Sequence, residues 1–271
     1  MLENLFINGC SFLEVYDVDR ARAPAGHCLA EKLKLNPIGY AASARGNDRI
    51  IATTKLFFYD NPELIKDTFV LIGWSSVVRQ DYLKTSARLL NHSPKEGFDP
   101  DKSPIGRPSG PLKYNGSLVG WGAFNWVYPW RNTEDSSEEK QKKEKEWFAF
   151  LNGGERHKCF KVVDYDISRT CRLKYLEQVL SLQDFFKLNS INYCMYNALP
   201  PLIPYGHTEG LDGLADKVDK QRFFQFDGES HMDYVEKEML TLSETDGHPN
   251  PLGSKLWADK LYSFIKENEL L

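Results

Sequence analysis

Short apolar runs alternate along the chain with longer segments in which apolar residues recur at helical spacing. The short runs are typical of strands buried on both faces of a sheet, and they cover residues 5–8, 38–42, 68–74 and 191–197. The longer segments predict helices over residues 20–35, 47–60, 81–90, 133–151, 156–188 and 249–270. The early order of strand, helix, strand, helix, strand, helix favours a parallel sheet with helices on both faces.

Two stretches interrupt this alternation. Residues 91–130 are rich in Gly, Pro, Ser and aromatic residues without a steady period, and residues 205–232 are polar and rich in glycine. We therefore expect a single α/β domain over residues 1–271, with insertions at about 91–155 and 203–232. The aromatic residues from Trp121 to Trp130 serve either in packing or as a platform for a sugar ring.

Composition and charge narrow the class of protein. Hydrophobic residues make up 41% of the chain, enough for a sizeable core. The net charge is −4, from 34 basic and 38 acidic residues, and there is no long basic cluster. We therefore expect neither nucleic acid nor an anionic membrane as a partner. The five cysteines form no CxxC pair, which favours a reducing compartment.

The sequence also argues against export, membrane insertion and bound cofactors. The first residues carry an acid and lead into an apolar run too short for a signal peptide, and no stretch approaches the ~18 apolar residues of a spanning helix. We expect a cytoplasmic protein without a membrane span. The histidines show no metal-binding spacing such as HxH or HExxH, and neither GxxxxGK[ST] nor GxGxxG occurs, so we expect no metal and no cofactor.

A serine follows the first predicted strand, in the run Gly9-Cys10-Ser11, where the glycine is expected to relax the backbone of a turn. A serine hydroxyl becomes a nucleophile only with a base within hydrogen-bond reach and a group that orients that base. His248 and Asp246 lie together just before the last predicted helix. Open α/β sheets carry their sites at the carboxyl ends of the strands, so we predict that these three side chains meet there as nucleophile, base and orienter.

Four short segments extend this reading to a family: 8–12 (NGCSF), 46–50 (GNDRI), 72–76 (IGWSS) and 246–250 (DGHPN). In this order they resemble the four blocks of SGNH (GDSL-like) hydrolases, most of all the SGNH-like proteins of tailed phages. The resemblance implies a three-layer α/β/α sandwich with a mostly parallel sheet, of SGNH-hydrolase or flavodoxin-like type. It leaves residues 91–188 unassigned.

The resemblance also implies an activity. It is that of a metal-independent serine esterase, which cleaves an acyl or acetyl ester of a glycan, lipid or small molecule through an acyl-Ser11 intermediate. His248 would be the general base and Asp246 its orienter. The backbone N–H groups of Ser11 and Gly46 would bind the oxyanion.

The chain departs from the family pattern in the block that normally completes the oxyanion hole. The family places an asparagine where this sequence has Ser75. Losing one such donor costs on the order of 10²–10³ in rate. Asn47 or Arg79 is the candidate replacement, and we count Gly46, Asn47 and Ser75 as the oxyanion or substrate residues.

Two further departures lie beside the nucleophile and the base. Cys10 precedes the serine, where the family usually has an acid, and it is either a small buried residue or an alternative nucleophile. The family's acid lies three residues before the histidine, a place that Thr245 holds here; Glu244 is a fallback orienter to Asp246.

Other readings of these residues remain open. Ser11 could cap the first helix, and Asp48 could form a structural ion pair with Arg49. At the level of function, the alternatives are a binding or virion-structural protein that has lost catalysis, which the Ser75 position supports, and an acyltransferase that passes the acyl group to a sugar. If the chain is phage-encoded, association with the virion is one possible location. The sequence does not identify the oligomeric state.

Overall fold

A five-stranded parallel sheet forms the centre of the protein in a computed structural model that describes residues 2–14, 23–42, 45–77, 80–84, 112–114, 117–124, 167–201 and 210–271. Its strands are β1 (Asn4–Gly9), β2 (Asn36–Gly39), β3 (Thr68–Trp74), β7 (Asn192–Asn197) and β8 (Phe223–Phe224). They lie in the order β2-β1-β3-β7-β8, and every neighbouring pair is parallel.

Six helices accompany this sheet in the described ranges: α1 (Ala25–Leu33), α2 (Asn47–Asp60), α3 (Ile167–Leu188), α4 (Asp212–Ala215), α5 (His231–Lys237) and α6 (Pro251–Glu267). A 3₁₀ helix covers Pro62–Asp67. None of the helices in the described part of the chain combines the length and apolar character needed to cross a bilayer.

Side chains of the central strands alternate between two separate cores. On one face Leu5, Ile7, Phe69 and Leu71 pack with residues of α1 and α6, including Leu29 and Trp257. On the other face Phe6, Val70, Ile72 and Trp74 pack with residues of α2 and α3, including Ile50 and Tyr175. Because both faces of the strands are covered, the predicted α/β/α sandwich is confirmed.

The predicted helix over 81–90 is wrong in its first part. Residues 80–84 form strand β4 (Gln80–Lys84), which pairs antiparallel with β6 (Ser117–Phe124), and β6 pairs with β5 (Leu112–Tyr114). The partner strand lies far along the sequence, so local periodicity did not indicate the pairing. Two residues, Asn115 and Gly116, separate β5 from β6, and Asn-Gly is a strong hairpin signal that the interpretation of 91–130 as irregular overlooked.

The segment at 203–232 is also more than an insertion. It supplies β8, which pairs with β7 and completes the edge of the main sheet, and it contains α4. Ser230 then caps α5 in a capping box with Asp233. The run Phe223–Phe224 is too short for a periodic signal to mark it as a strand.

The other predicted elements differ from the structure mainly at their ends. The first helix begins at Ala25, with Pro24 as its N-cap residue, and the last spans Pro251–Glu267. The second strand lies two residues earlier than expected, at Asn36–Gly39. The predicted helix over 133–151, residues 85–90 and 156–166, and the aromatic residues from Trp126 to Trp130 lie outside the described residues.

Candidate active site

The sheet order creates a crevice at the carboxyl end of β1. The chain passes from β1 to β2 on one side and returns to β3 on the other, so the direction of winding changes between β1 and β3. Open α/β sheets bind their ligands outside the carboxyl ends of the strands at such a switch point. Ser11 lies there, two residues after the end of β1.

The turn that carries Ser11 is folded back onto the sheet. The Leu13 N–H donates to the Cys10 carbonyl over 3.0 Å, and the Leu13 side chain covers Gly9 and Gly73, which face each other across β1 and β3. A Cβ on Gly9 would lie 2.7 Å from the Gly73 carbonyl oxygen and 2.8 Å from Leu13 Cδ1. Gly9 is therefore required for close packing, and not for the relaxed backbone expected from the sequence.

Ser11, His248 and Asp246 are joined in one hydrogen-bonded chain. The distance from Ser11 Oγ to His248 Nε2 is 2.7 Å, and that from His248 Nδ1 to Asp246 Oδ1 is 2.6 Å. The carboxylate can only accept, so Nδ1 carries the proton and the Nε2 lone pair faces the serine hydroxyl. This tautomer is the one that lets an imidazole accept a proton from serine.

Asp246 holds His248 although it lies only two residues away. Its Oδ1 also accepts from the His248 backbone N–H over 3.1 Å, so one carboxylate oxygen fixes both the ring and the main chain. The loop is closed by Leu242 N–H donating to the His248 carbonyl over 2.8 Å. Glu244 and Thr245 are exposed, and the structure brings Asp246, not these residues, to the ring.

Helix α6 begins at Pro251, three residues after His248. The Asn250 side chain accepts from the Gly253 N–H over 2.8 Å, and Pro251 occupies the first helical position. A Cβ on Gly253 would meet the Leu240 carbonyl oxygen at 2.9 Å, so α6 packs closely on the segment before the loop. His248 is therefore carried on a short loop that is held at both ends.

A second element reaches the same edge of the sheet. Gly46 is the N-cap residue of α2 and has an extended backbone, with φ −85° and ψ 169°. The buried Asn8 side chain ties this helix to β1, because its Nδ2 donates to the Ile50 carbonyl and to the hydroxyls of Thr53 and Thr54. Asn8 Oδ1 accepts from the Gly9 N–H over 2.9 Å.

Arg45 connects Tyr40, which follows β2, to Asn8 on β1. Its buried guanidinium donates to the Tyr40 carbonyl and lies 3.5 Å from Asn8 Oδ1. Sequence reasoning missed both Asn8 and Arg45. An asparagine inside an otherwise apolar strand was the available signal, because a buried amide must find hydrogen-bond partners.

Asn47 and Ser75 face each other at the ends of α2 and β3. The Ser75 N–H donates to Asn47 Oδ1 over 2.8 Å, and Asn47 Nδ2 donates to the Ser75 carbonyl over 3.2 Å. Both residues are buried. This reciprocal pair fixes the N-terminus of α2 against β3, the strand next to β1. Arg79 lies outside the described residues.

The surroundings of Ser11, Cys10 and Asp48 bear on the alternative roles of these residues. Ser11 does not cap α1, whose N-cap residue is Pro24. Cys10 is fully buried, as expected of a small packing residue. Asp48 accepts from Lys174 Nζ over 2.8 Å and from Gln178 Nε2 over 2.7 Å, so its carboxylate joins α2 to α3.

The side chains of Ser11, His248 and Asp246 are accessible to solvent. The exposed fraction is 36% for the His248 side chain and 46% for that of Asp246, and Ser11 is partly exposed. A substrate carbonyl can therefore reach the serine. Among the described residues, no group of three or more His, Cys, Asp or Glu side chains is arranged to hold a metal ion.

Comparison with known proteins adds no assignment. The sequence matches no protein-family model, and no curated protein matches it significantly. The geometry of the site and the four sequence segments are therefore the basis for assigning a function.

Proposed function

We propose that this protein is a serine hydrolase that cleaves an acyl or acetyl ester through an acyl-Ser11 intermediate. The observation that carries the proposal is the chain from Ser11 Oγ to His248 Nε2 and from His248 Nδ1 to Asp246, with distances of 2.7 and 2.6 Å. A serine that only caps a helix or packs in the core does not require an oriented imidazole at its hydroxyl group. The combination of nucleophile, base and orienter is the minimum set for acyl transfer.

Acylation begins when Ser11 Oγ attacks the ester carbonyl carbon and its proton passes to His248 Nε2. The imidazolium is stabilised by the Asp246 carboxylate, which already accepts the Nδ1 proton. The tetrahedral intermediate collapses as the carbon–oxygen bond to the alcohol breaks. The alcohol leaves with the proton from Nε2, and the acyl group stays on Ser11.

Deacylation repeats these steps with water as the nucleophile. His248 Nε2 takes a proton from the water as it attacks the acyl carbon, and the bond to Ser11 Oγ then breaks. Ser11 Oγ recovers the proton from Nε2, and the acid is released. The exposed fractions of His248 and Asp246 are compatible with water reaching the base.

The oxyanion is assigned to the backbone N–H groups of Ser11 and Gly46. Gly46 is the N-cap residue of α2, and the N-terminus of a helix favours negative charge. Asn8 ties this helix to β1 and the Asn47–Ser75 pair ties it to β3, which supports a fixed position beside the nucleophile. The resemblance of the four sequence blocks to SGNH hydrolases supports the same roles.

The proposal is tested by hydrolysis of p-nitrophenyl acetate and by labelling with a fluorophosphonate. We expect the wild-type protein to release p-nitrophenol and to carry the label on Ser11, as located by mass spectrometry. Ser11→Ala should lose both the label and the turnover, because the substitution removes the hydroxyl oxygen that carries the acyl group in the proposed mechanism.

Ser181→Ala is the matched control, because Ser181 is an exposed serine on α3 that contacts Lys55. It should retain the label and the turnover. A Ser11→Ala protein with undiminished turnover would refute the proposal. Absence of labelling in folded wild-type protein would favour a binding protein that has lost catalysis, and turnover that requires a sugar acceptor would favour an acyltransferase.

A further inference from the structure

A column of four aromatic rings runs from the proposed base into the core. The Phe12 ring centroid lies 5.2 Å from that of His248, with an angle of 37° between the planes. On its other side Phe12 lies 5.4 Å from His231 in an edge-on arrangement, and His231 stacks flat on Trp257 at 4.7 Å and 8°. Apart from His248, the rings are buried.

The inner end of the column is rigid. Trp257 is fully buried on α6, and its ring is surrounded by those of Tyr196, Phe224 and Tyr234 at centroid distances of 5.3–5.8 Å. His231 lies in the first turn of α5. Close-packed rings of this kind leave Phe12 little freedom to move away from His248.

His248 benefits from such a support because its orientation depends on two hydrogen bonds. The Cβ–Cγ bond lets the imidazole rotate, and the hydrogen bonds at Nδ1 and Nε2 oppose this rotation. A side chain packed against one face of the ring restricts the same rotation.

Support of the His248 ring is more important during turnover. Once Ser11 Oγ has bonded to the carbonyl carbon, its hydroxyl hydrogen bond to Nε2 is gone, and Asp246 alone holds the ring by a side-chain hydrogen bond. His248 must then aim Nε2 first at the leaving alcohol and afterwards at the attacking water. Errors of ring orientation at these steps lower the rate and leave substrate binding unchanged.

We propose that Phe12 is a positioning residue for the general base, and that the column through His231 and Trp257 braces it. The proposal rests on the assignment of His248 as the base in the proposed hydrolase. Phe12 touches no reacting atom. Its role is to keep the imidazole in the plane that joins Asp246, the serine and the incoming water.

The test compares Phe12→Leu with Phe186→Leu. Phe186 is a fully buried phenylalanine that also contacts two rings, Phe185 and Tyr193, but it lies in the core on the opposite face of the sheet. With p-nitrophenyl acetate we expect Phe12→Leu to lower kcat by about tenfold with KM changed less than twofold. Phe186→Leu should leave kcat near that of the wild-type protein, and Phe12→Tyr, which keeps a ring face, should recover most of the lost kcat.

A second measurement does not depend on activity. Nitrogen-15 labelled histidine gives ring signals that report the tautomer, and the His248 signals are identified by their loss in His248→Gln. The wild-type protein and Phe186→Leu should show one fixed Nδ1–H tautomer for His248. Phe12→Leu should keep this tautomer, which Asp246 sets, but should show faster exchange of the Nδ1 proton with water.

The outcomes separate the two proposals. Equal kcat values in Phe12→Leu and Phe186→Leu, with unchanged His248 signals, would overturn the positioning role. If the folded wild-type protein hydrolyses no ester, the proposed function fails, and the histidine spectra alone decide whether Phe12 fixes the ring. Should Phe12→Leu not fold, Phe12→Met provides a flexible side chain of similar size for the same comparisons.

Discussion

The burial of His231 makes the free energy of unfolding depend on pH. His231 is fully buried against Trp257, and burial lowers its pKa from 6.5 to about 3. The folded protein therefore keeps this ring neutral at pH 5, whereas the unfolded chain binds a proton there. The stabilisation is complete above pH 6.5 and is lost as the pH falls from about 6.5 towards 3.

The magnitude follows from the two pKa values. Between pH 7 and pH 5, protonation of His231 in the unfolded state lowers the free energy of unfolding by about 2 kcal/mol. For a chain of this size that corresponds to roughly 3 °C in the melting temperature. The substitution His231→Phe removes the titration and keeps an aromatic ring on Trp257, so this part of the pH dependence should disappear.

The assay is urea unfolding followed by tryptophan fluorescence at pH 7 and pH 5 for both proteins. Every other titrating group is common to the two proteins, so the difference between their pH dependences isolates His231. The wild-type protein should lose about 2 kcal/mol more than His231→Phe on going from pH 7 to pH 5. Equal losses in the two proteins would show that His231 is protonated or solvated in the folded state, which would refute the reasoning.

Two further predictions concern the loop that carries Asp246 and the turn that carries Ser11. Asp246→Asn should lower kcat for p-nitrophenyl acetate by about 10³–10⁴, because the amide favours the wrong His248 tautomer. Glu244→Gln should have little effect, and an equal loss in that variant would contradict the choice of Asp246 as orienter. Gly9→Ala should reduce the free energy of unfolding by about 1–3 kcal/mol, since its Cβ meets the Gly73 carbonyl oxygen at 2.7 Å. Gly213→Ala, where a Cβ meets nothing within 4 Å, is the control in urea unfolding; a Gly9→Ala protein as stable as this control would contradict the packing argument.

The sequence predicted the strands that are buried on both faces. The prediction for β3 matches the structure at both ends, because all its residues except Thr68 are apolar and all seven are buried. It did not predict β8, where two residues gain a strand conformation only by pairing with β7. It misread β4 because a five-residue strand is defined by its partner β6, and local periodicity carries no information about that partner.

In the site, as in the fold, the sequence indicated some features and not others. The residue types and positions of Ser11, His248 and Asp246 suggested one site, and these three side chains lie together in the structure. The contacts that hold them could not be read from the sequence. The Leu13 side chain over Gly9, the Asn8 amide on α2 and the Phe12 ring on His248 all depend on how separate elements pack.

The hydrogen bond between Ser11 and His248 joins residues that are 237 positions apart in the sequence. Closing a flexible loop of that length costs about 5 kcal/mol of chain entropy, whereas one hydrogen bond contributes about 1 kcal/mol. The contact therefore cannot form ahead of the sheet and the two cores, which must first bring its partners together. In a partly folded chain Ser11 lacks its hydrogen bond to His248 Nε2, so any reactivity that depends on this pair arises only once the chain has folded.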